Sequence, residues 1–270
     1  MAAAGGLKAG PAAVLGAACF PEGPLLVALG GGADSAVCAW AAVRLGCRVR
    51  AATVDHGLAA SPALIAAAQA LAEHLGITHR VLPAGPAGKS EAALREARYA
   101  ALEAEAASEE SLVTGHTRDD QAETVLGNLL RGAGAGGLAA IPARRGRWCR
   151  PLLALGREQV RAAADELALP YVDDPENAEL ARRRNFLRHE VLPLLEDRLG
   201  PVVREALARA AALLRADDDE LDRRASAVPL RRRGGEVLAP AAALVTLPPA
   251  VAGRVARRAL RLLLAPYPGH

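Results

Sequence analysis

No run in this 270-residue chain approaches the ~20 uninterrupted apolar residues of a membrane span, although 51% of its residues are hydrophobic. The start, MAAAGGLKAGPAAVLGAACF, lacks the charged leader and compact apolar core of a signal peptide, so a cytoplasmic protein without a membrane partner is expected. Its Ala/Gly richness predicts a loose end. Cys19, Cys38, Cys47 and Cys149 show neither C-x-x-C nor Cys/His ligand spacing, which argues against structural zinc and against a disulfide framework. Lysine is nearly missing: Lys8 and Lys89 stand alone, and the other basic side chains are arginines, with a net charge of only +3. Guanidinium forks suit phosphate, but Ala, Arg and Gly are abundant everywhere, so composition by itself names no nucleic-acid partner. There is no internal repeat, no G-x-x-x-x-G-K-[ST] and no G-x-G-x-x-G.

What the chain does have is alternation. Apolar runs at 24–29, 49–54, 79–84 and 111–115 are each followed by a helical pattern, at 34–45, 62–75, 91–107 and 119–131. Four strand-then-helix units predict an α/β fold, a parallel sheet with helices on both faces. A fifth strand is expected over 147–153 and a helix from Arg157 to Leu169. Beyond about 180 the pattern turns helical and highly charged, ending in an Arg-rich amphipathic helix near 249–264. In such folds ligands sit beyond the carboxyl ends of the strands, where strand order reverses. Polar groups gather at those ends here: Gly30-Gly31-Gly32, Asp55-His56, and Gly115-His116 with Asp119-Asp120.

In LLVALGGGADSAV, residues 25–37, the glycines form a tight strand-to-helix turn whose backbone N–H groups suit a phosphate. A plain turn satisfies the glycines equally well. Asp34 beside a phosphate cradle would repel the anion unless a divalent cation lay between them, which implies Mg²⁺. VDHGL, 54–58, reads on its own as a turn. In GHTRDDQAETVLGNLLRGAGAGGLAAI, 115–141, Asp120 and Glu123 are three apart on one helical face, a two-carboxylate claw able to hold an ammonium group. Acids at a helix start also favour the dipole without any further role. Gly132, Gly134, Gly136 and Gly137 make either a loop that closes over the site or a C-cap and linker.

GGGADS resembles the SGGxDS loop of the PP-loop ATP pyrophosphatases at every position but the first. Together with VDHGL, EAALREARYAAL, GHTRDDQAETVLGNLLRGAGAGGLAAI, RPLL, DDPENAEL and RRNFLRHEVLPLL, it is similar in order and spacing to the tRNA(Ile)-lysidine synthetase family. The resemblance covers about 24–195 and implies an adenine nucleotide α-hydrolase-like fold. It implies a ligase that uses ATP and Mg²⁺ to activate the wobble cytidine of a CAU-anticodon tRNA(Ile) as an O2-adenylate, which the ε-amine of L-lysine then displaces.

On that resemblance, Gly30, Gly31, Gly32, Ala33, Asp34 and Ser35 hold the phosphates, Asp34 places the metal, and Asp55, His56 and His116 line the nucleotide. Asp120 and Glu123 bind lysine and steer its amine. Arg184 and Arg188 face phosphate or the lysine carboxylate, although helix-surface arginines are more often simply solvated. Arg95, Arg98 and Arg131 contact tRNA or nucleotide. Residues 1–183 would form the catalytic domain and 184–270 a helical, tRNA-contacting region shorter than many in the family. Gly30 removes a hydroxyl worth about 0.5–1.5 kcal/mol to a bound phosphate, so weaker ATP binding is expected. Two alternatives are a tRNA-thiolating PP-loop enzyme, which would want paired cysteines, and a non-catalytic nucleotide- or tRNA-binding protein.

Overall fold

The computed structural model describes residues 10–85, 88 and 90–264. Part of the segment expected to be loose is a helix, α1 (Pro11–Ala17). Pro11 occupies its first turn, where a missing N–H costs nothing, and fully buried Val14 anchors it in the main core. The rest of that segment, residues 1–9, lies outside the described residues.

The four strand–helix units follow as β1 (Pro24–Ala28) and α2 (Ala33–Arg44), β2 (Arg48–Asp55) and α3 (Ser61–Leu75), β3 (Thr78–Pro83) and α4 (Glu91–Glu105), β4 (Ser111–Val113) and α5 (Arg118–Leu129). A short helix α6 (Ala135–Leu138), a two-residue hairpin pair β5 (Arg144–Arg145) and β6 (Trp148–Cys149), and α7 (Arg157–Glu166) complete the nucleotide-fold region. The sheet order is β3-β2-β1-β4-β6-β5, parallel except for β5, which runs antiparallel to β6. Leu25, Leu26 and Val27 in the central strand are fully buried because helices cover both faces. One face packs on α2 and α7 through Val37, Trp40 and Val160, and the other on α4 through Leu102 and Tyr99. The fifth strand is shorter than the expected 147–153: Pro151 has no N–H to continue the ladder, and the chain turns at once.

The glycine-rich segment after α5 is docked. Asn128 Nδ2 donates to Gly137 O at 2.6 Å, and buried Gln121 pairs with both the N–H and the C=O of Ile141. Arg215 Nη2 donates to Ala139 O and Ala140 O at 3.1 and 2.9 Å.

From 183 the chain is helical: α8 (Arg183–Phe186), a π-helical turn at Leu187–Val191, α9 (Leu192–Leu199) and the long α10 (Val203–Ser226). The π turn has an evident cause. Pro193 offers no N–H and its ring would clash with a carbonyl one turn back, so the helix widens there. Leu187 and Leu192 bury against Ala122 and Leu126 of α5, and Val203 and Leu207 join them. The packing therefore runs across the 183/184 boundary expected from composition. A hairpin, β7 (Arg231–Arg233) and β8 (Glu236–Leu238), and helices α11 (Ala241–Val245) and α12 (Pro249–Leu263) follow, meeting α10 at a small core of Ala225, Val228, Val251 and Val255.

Strand order reverses between β1 and β4, and at their carboxyl ends two glycines permit very close approach. Gly31 has φ +78°, and a Cβ there would lie 2.5 Å from Leu64 O of α3. A Cβ on Gly115 would lie 2.5 Å from Asp34 O. Gly30 differs, since nothing lies within 4 Å of a Cβ placed on it. Gly31→Ala is therefore expected to destabilise the fold by at least about 2 kcal/mol from left-handed backbone strain and overpacking together. Gly30→Ser should leave the midpoint of thermal or urea unfolding nearly unchanged.

Candidate active site

The turn after β1 is organised by one hydroxyl. Ser35 Oγ donates to Gly32 O at 2.9 Å and accepts from Gly30 N at 3.1 Å, closing the glycines into a loop at the start of α2. The first-turn N–H groups of Ala33, Asp34 and Ser35 have no acceptor within the helix, and no side chain caps it. Val172 N donates to Gly31 O at 2.9 Å, so the segment after α7 braces the loop from outside.

Opposite the loop stands the start of α5. Thr117 is its N-cap: Asp120 Oδ2 accepts from Thr117 N at 2.7 Å and from Thr117 Oγ1 at 3.0 Å, fixing the helix start. Asp120 Oδ1 accepts from Arg157 Nη2 at 2.8 Å and from Arg184 Nη2 at 2.7 Å. Glu123, only 2% exposed, is saturated. Its Oε1 accepts from Arg157 Nη1 at 3.0 Å and Arg188 Nε at 2.7 Å. Its Oε2 accepts from Arg184 Nε at 2.8 Å and Arg188 Nη2 at 3.0 Å. Arg184 and Arg188, four apart across α8 and the π turn, thus share a face and point inward, unlike ordinary solvated helix arginines. The two-carboxylate claw expected to meet an ammonium is occupied by three guanidinium groups.

Arg157, which the sequence reading left without a role, is central to this cluster. It begins α7, its backbone N–H donates to Asp119 Oδ2 at 2.7 Å, and its Nε lies 3.7 Å from Asp34 Oδ2. The available signal was positional: it opens a helix that follows the last parallel strand, at the same sheet edge as the other polar groups. Asp119 Oδ1 in turn accepts from Arg204 Nη1 of α10 at 3.1 Å, and Arg118 pairs with Glu205 at 2.9 Å. The adjacent aspartates therefore face different neighbours.

Electrostatics separate the acids. Burial alone would raise Asp120 and Glu123, but Arg157 and Arg184 hold Asp120 well below the usual carboxylate range, and Arg188 with Arg184 lowers Glu123. Asp34 goes the other way, raised from 3.8 to about 7, because burial outweighs the longer contact with Arg157 and neighbouring Asp120 adds repulsion. Burial pushes the His116 imidazole down to about 3, so it is neutral at physiological pH, with Nδ1 2.8 Å from Thr114 Oγ1.

The remaining expected residues divide. Asp55 Oδ1 accepts from Gly57 N at 2.8 Å and closes the turn after β2. His56 Nε2 accepts from Arg98 Nε at 3.5 Å, which leaves the proton on Nδ1, a buried atom without a partner among the described residues. Arg98 is lowered by burial and by nearby Arg95, with Arg184 also contributing. Arg95 donates to Tyr99 OH at 3.0 Å and lies over that ring. Arg131 is not brought to the cluster. It is exposed beyond the end of α5, roughly 12 Å along the helix from Glu123, and donates to Asn128 Oδ1.

A PP-loop domain family model matches residues 13–195, which include the loop, both carboxylates and all three arginines. The tRNA(Ile)-lysidine synthase of Thermobifida fusca is 46% identical over 250 residues, spanning 88% of this chain and 77% of that protein. The chain belongs to the tRNA(Ile)-lysidine synthase family. The family enzyme from Streptomyces coelicolor is likewise 46% identical, over 89% of this chain and 72% of its own. The U34-tRNA thiolase from Methanococcus maripaludis, at 19% identity and TM-score 0.59 over 74% of this chain and 77% of its own, shares the fold. Membership of this PP-loop family makes the chain an ATP-binding protein. No helix among the described residues is long and apolar enough to cross a membrane.

Among the described residues no group of three or more His, Cys, Asp or Glu side chains is set to hold a metal. Among the acids of the cluster, Asp34 is the one whose nearest cation is most distant, Arg157 Nε at 3.7 Å, and one carboxylate acting with substrate phosphates is a common way to hold Mg²⁺. Its raised pKa has a stability consequence. In the unliganded protein, stability associated with Asp34 is fully present below its ordinary pKa of 3.8 and is lost as pH rises through about 7. Asp34→Asn is therefore expected to raise the melting temperature of the unliganded protein at pH 8, with the advantage vanishing near pH 4. Calorimetry across that range checks it; an equal effect at both ends removes Asp34 as the titrating group.

Proposed function

We propose that this chain joins the ε-amine of L-lysine to C2 of the wobble cytidine of a CAU-anticodon tRNA(Ile), with ATP as activator, through an adenylated cytidine. The carrying observation is the facing pair at one switch point: the Gly30–Ser35 loop on one side, and Asp120 and Glu123 with three arginines on the other.

Cytosine O2 is a poor leaving group, so C2 must be activated before an amine can replace it. O2 attacks the α-phosphorus of ATP and diphosphate departs; the lysine ε-ammonium gives up a proton to solvent, the resulting amine attacks C2, and the C2–O2 bond breaks with AMP as the leaving group. The N–H groups at the start of α2 hold the diphosphate end, and Mg²⁺ on Asp34, when bound, neutralises charge developing there. His56, whose Nδ1–H faces no acceptor among the described residues, supplies a donor to the nucleoside edge, and neutral His116 lines the same crevice. Asp55 acts through the turn that presents His56.

The guanidinium groups refine the role of the claw. Arg157, Arg184 and Arg188 are engaged with Asp120 and Glu123 at hydrogen-bond distance, whereas Asp34 has only the 3.7 Å contact with Arg157. When nucleotide phosphates enter, these arginines gain a second acceptor, and oxygen lone pairs of Asp120 and Glu123 become available to the lysine ammonium. Arg184 and Arg188 are also placed to receive its carboxylate. Residues 184–270 contact tRNA in this reading, with Arg95 and Arg98 near the nucleotide. Arg131 belongs to the RNA-facing surface outside the cluster.

Incubation with ATP, Mg²⁺, labelled lysine and tRNA(Ile) bearing CAU is expected to place label in that tRNA and not in a methionine tRNA. Binding of the RNA without incorporation would identify a non-catalytic binder instead. Asp34→Ala should reduce turnover by at least about a hundredfold. Glu123→Gln should raise the KM for lysine more than the KM for ATP, and an unchanged lysine KM would remove Glu123 from amine recognition.

A further inference from the structure

The positive charge of this protein is concentrated far from its active site. Residues 227–264 carry seven arginines, Arg231, Arg232, Arg233, Arg254, Arg257, Arg258 and Arg261, against a single acid, Glu236. That segment is +6, so with a total of +3 the remainder of the chain is −3. A polyanionic substrate is therefore attracted by this module and not by the net charge of the catalytic region.

Two of the seven arginines hold the module together. Arg254 pairs with Asp218 and Asp222 of α10, and Arg258 donates to the carbonyls of Ala225 and Val228. The other five, Arg231, Arg232, Arg233, Arg257 and Arg261, are exposed and have no ion-pair or hydrogen-bond partner among the described residues. By contrast, exposed Arg223 and Arg224 share Glu220 on their own helix. The hairpin has a two-residue Gly234-Gly235 connection, with Gly234 at φ +58°. This tight turn leaves a narrow ribbon that carries three consecutive guanidinium groups. Arg257 and Arg261 lie four apart on one flank of α12.

Position matters as much as charge. Arg204, near the start of α10, bonds Asp119 beside the catalytic cluster, whereas the hairpin follows Ser226 at the other end. The helix between them spans roughly 33 Å at about 1.5 Å per residue. We propose that the Arg231–Arg233 hairpin, with Arg257 and Arg261, grips the phosphate backbone of the tRNA at a point remote from the base being modified. The contact serves affinity for the whole folded RNA and takes no part in the chemistry. This rests on the tRNA-modifying reading above.

The test compares the parent protein with a triple variant, Arg231→Gln, Arg232→Gln and Arg233→Gln, and with a charge control, Arg223→Gln and Arg224→Gln. The probes are full-length tRNA(Ile) bearing CAU, its isolated anticodon stem-loop, and phosphatidylglycerol vesicles. The hairpin variant is expected to bind full-length tRNA about tenfold or more weakly near 0.15 M salt, with the slope of log affinity against log salt reduced by about two to three. Stem-loop binding should match the parent, and the control should retain most of the tRNA affinity.

Unchanged tRNA affinity and slope in the hairpin variant, or an equal loss in the control, would overturn the proposal. So would loss of vesicle binding with tRNA binding intact. Lysine incorporation by the parent protein is measured alongside: its failure would sink the lysidine reading, while the binding arms still decide on the hairpin.

Discussion

Everything near the crevice hangs on one buried carboxylate. Glu123 is held in its charged form at 2% exposure, and stripping such an ion of water costs several kcal/mol. The cost is offset because both oxygens are saturated by guanidinium groups from α7, α8 and the π turn, elements that apolar packing also brings against α2 and α5. The cluster is therefore cooperative, since removing any arginine leaves charge uncompensated in a poorly solvated place. Asp120 extends the same logic. One of its oxygens caps the helix that presents Glu123, and the other receives Arg157 and Arg184. The local start of α5, the docked end of α7 and the first C-terminal helix thus all meet at two side chains three residues apart.

The sheet supplies the second constraint. A crevice opens at its carboxyl edge only because strand order reverses between β1 and β4. The crevice is narrow because Gly115 lets the exit of β4 pass against the backbone of Asp34, and Gly31 lets α3 press on the loop. Those two glycines answer to sterics. Gly30, with open space where its Cβ would stand, does not, so a serine side chain there would displace no neighbour.

Much of this was legible in the sequence for an identifiable reason. Buried parallel strands read as short apolar runs, and polar residues clustered at their ends, so the fold and the loop follow from local pattern alone. Asp120 and Glu123 were legible as a pair because helical spacing puts them on one face. Their partners were not. An arginine on an amphipathic helix reads the same whether it meets solvent or a carboxylate 60 residues away, which is why Arg157 carried no signal beyond its place at a helix start. The glycine-rich segment after α5 likewise reads as free loop, because its anchors, Arg215 and Gln121, are distant in sequence. Pro193 signals only that the helical pattern is interrupted near that point, not that the interruption takes the form of a π turn.

The same cluster also sorts the acids by task. Asp34 and Asp120 interact electrostatically and burial acts to raise both, yet one is pushed up to about 7 and the other far down. The difference lies in their cations. Asp120 touches two guanidinium groups at 2.7 and 2.8 Å, whereas Asp34 has one at 3.7 Å, too far for a hydrogen bond. Pairs of carboxyl groups driven apart in this way take different roles. Asp120 is already neutralised by the protein and fixes geometry; Asp34, at the end of the glycine loop, is left short of positive charge. Among the cluster's carboxylates, Asp34 would gain most from a cation arriving with the nucleotide.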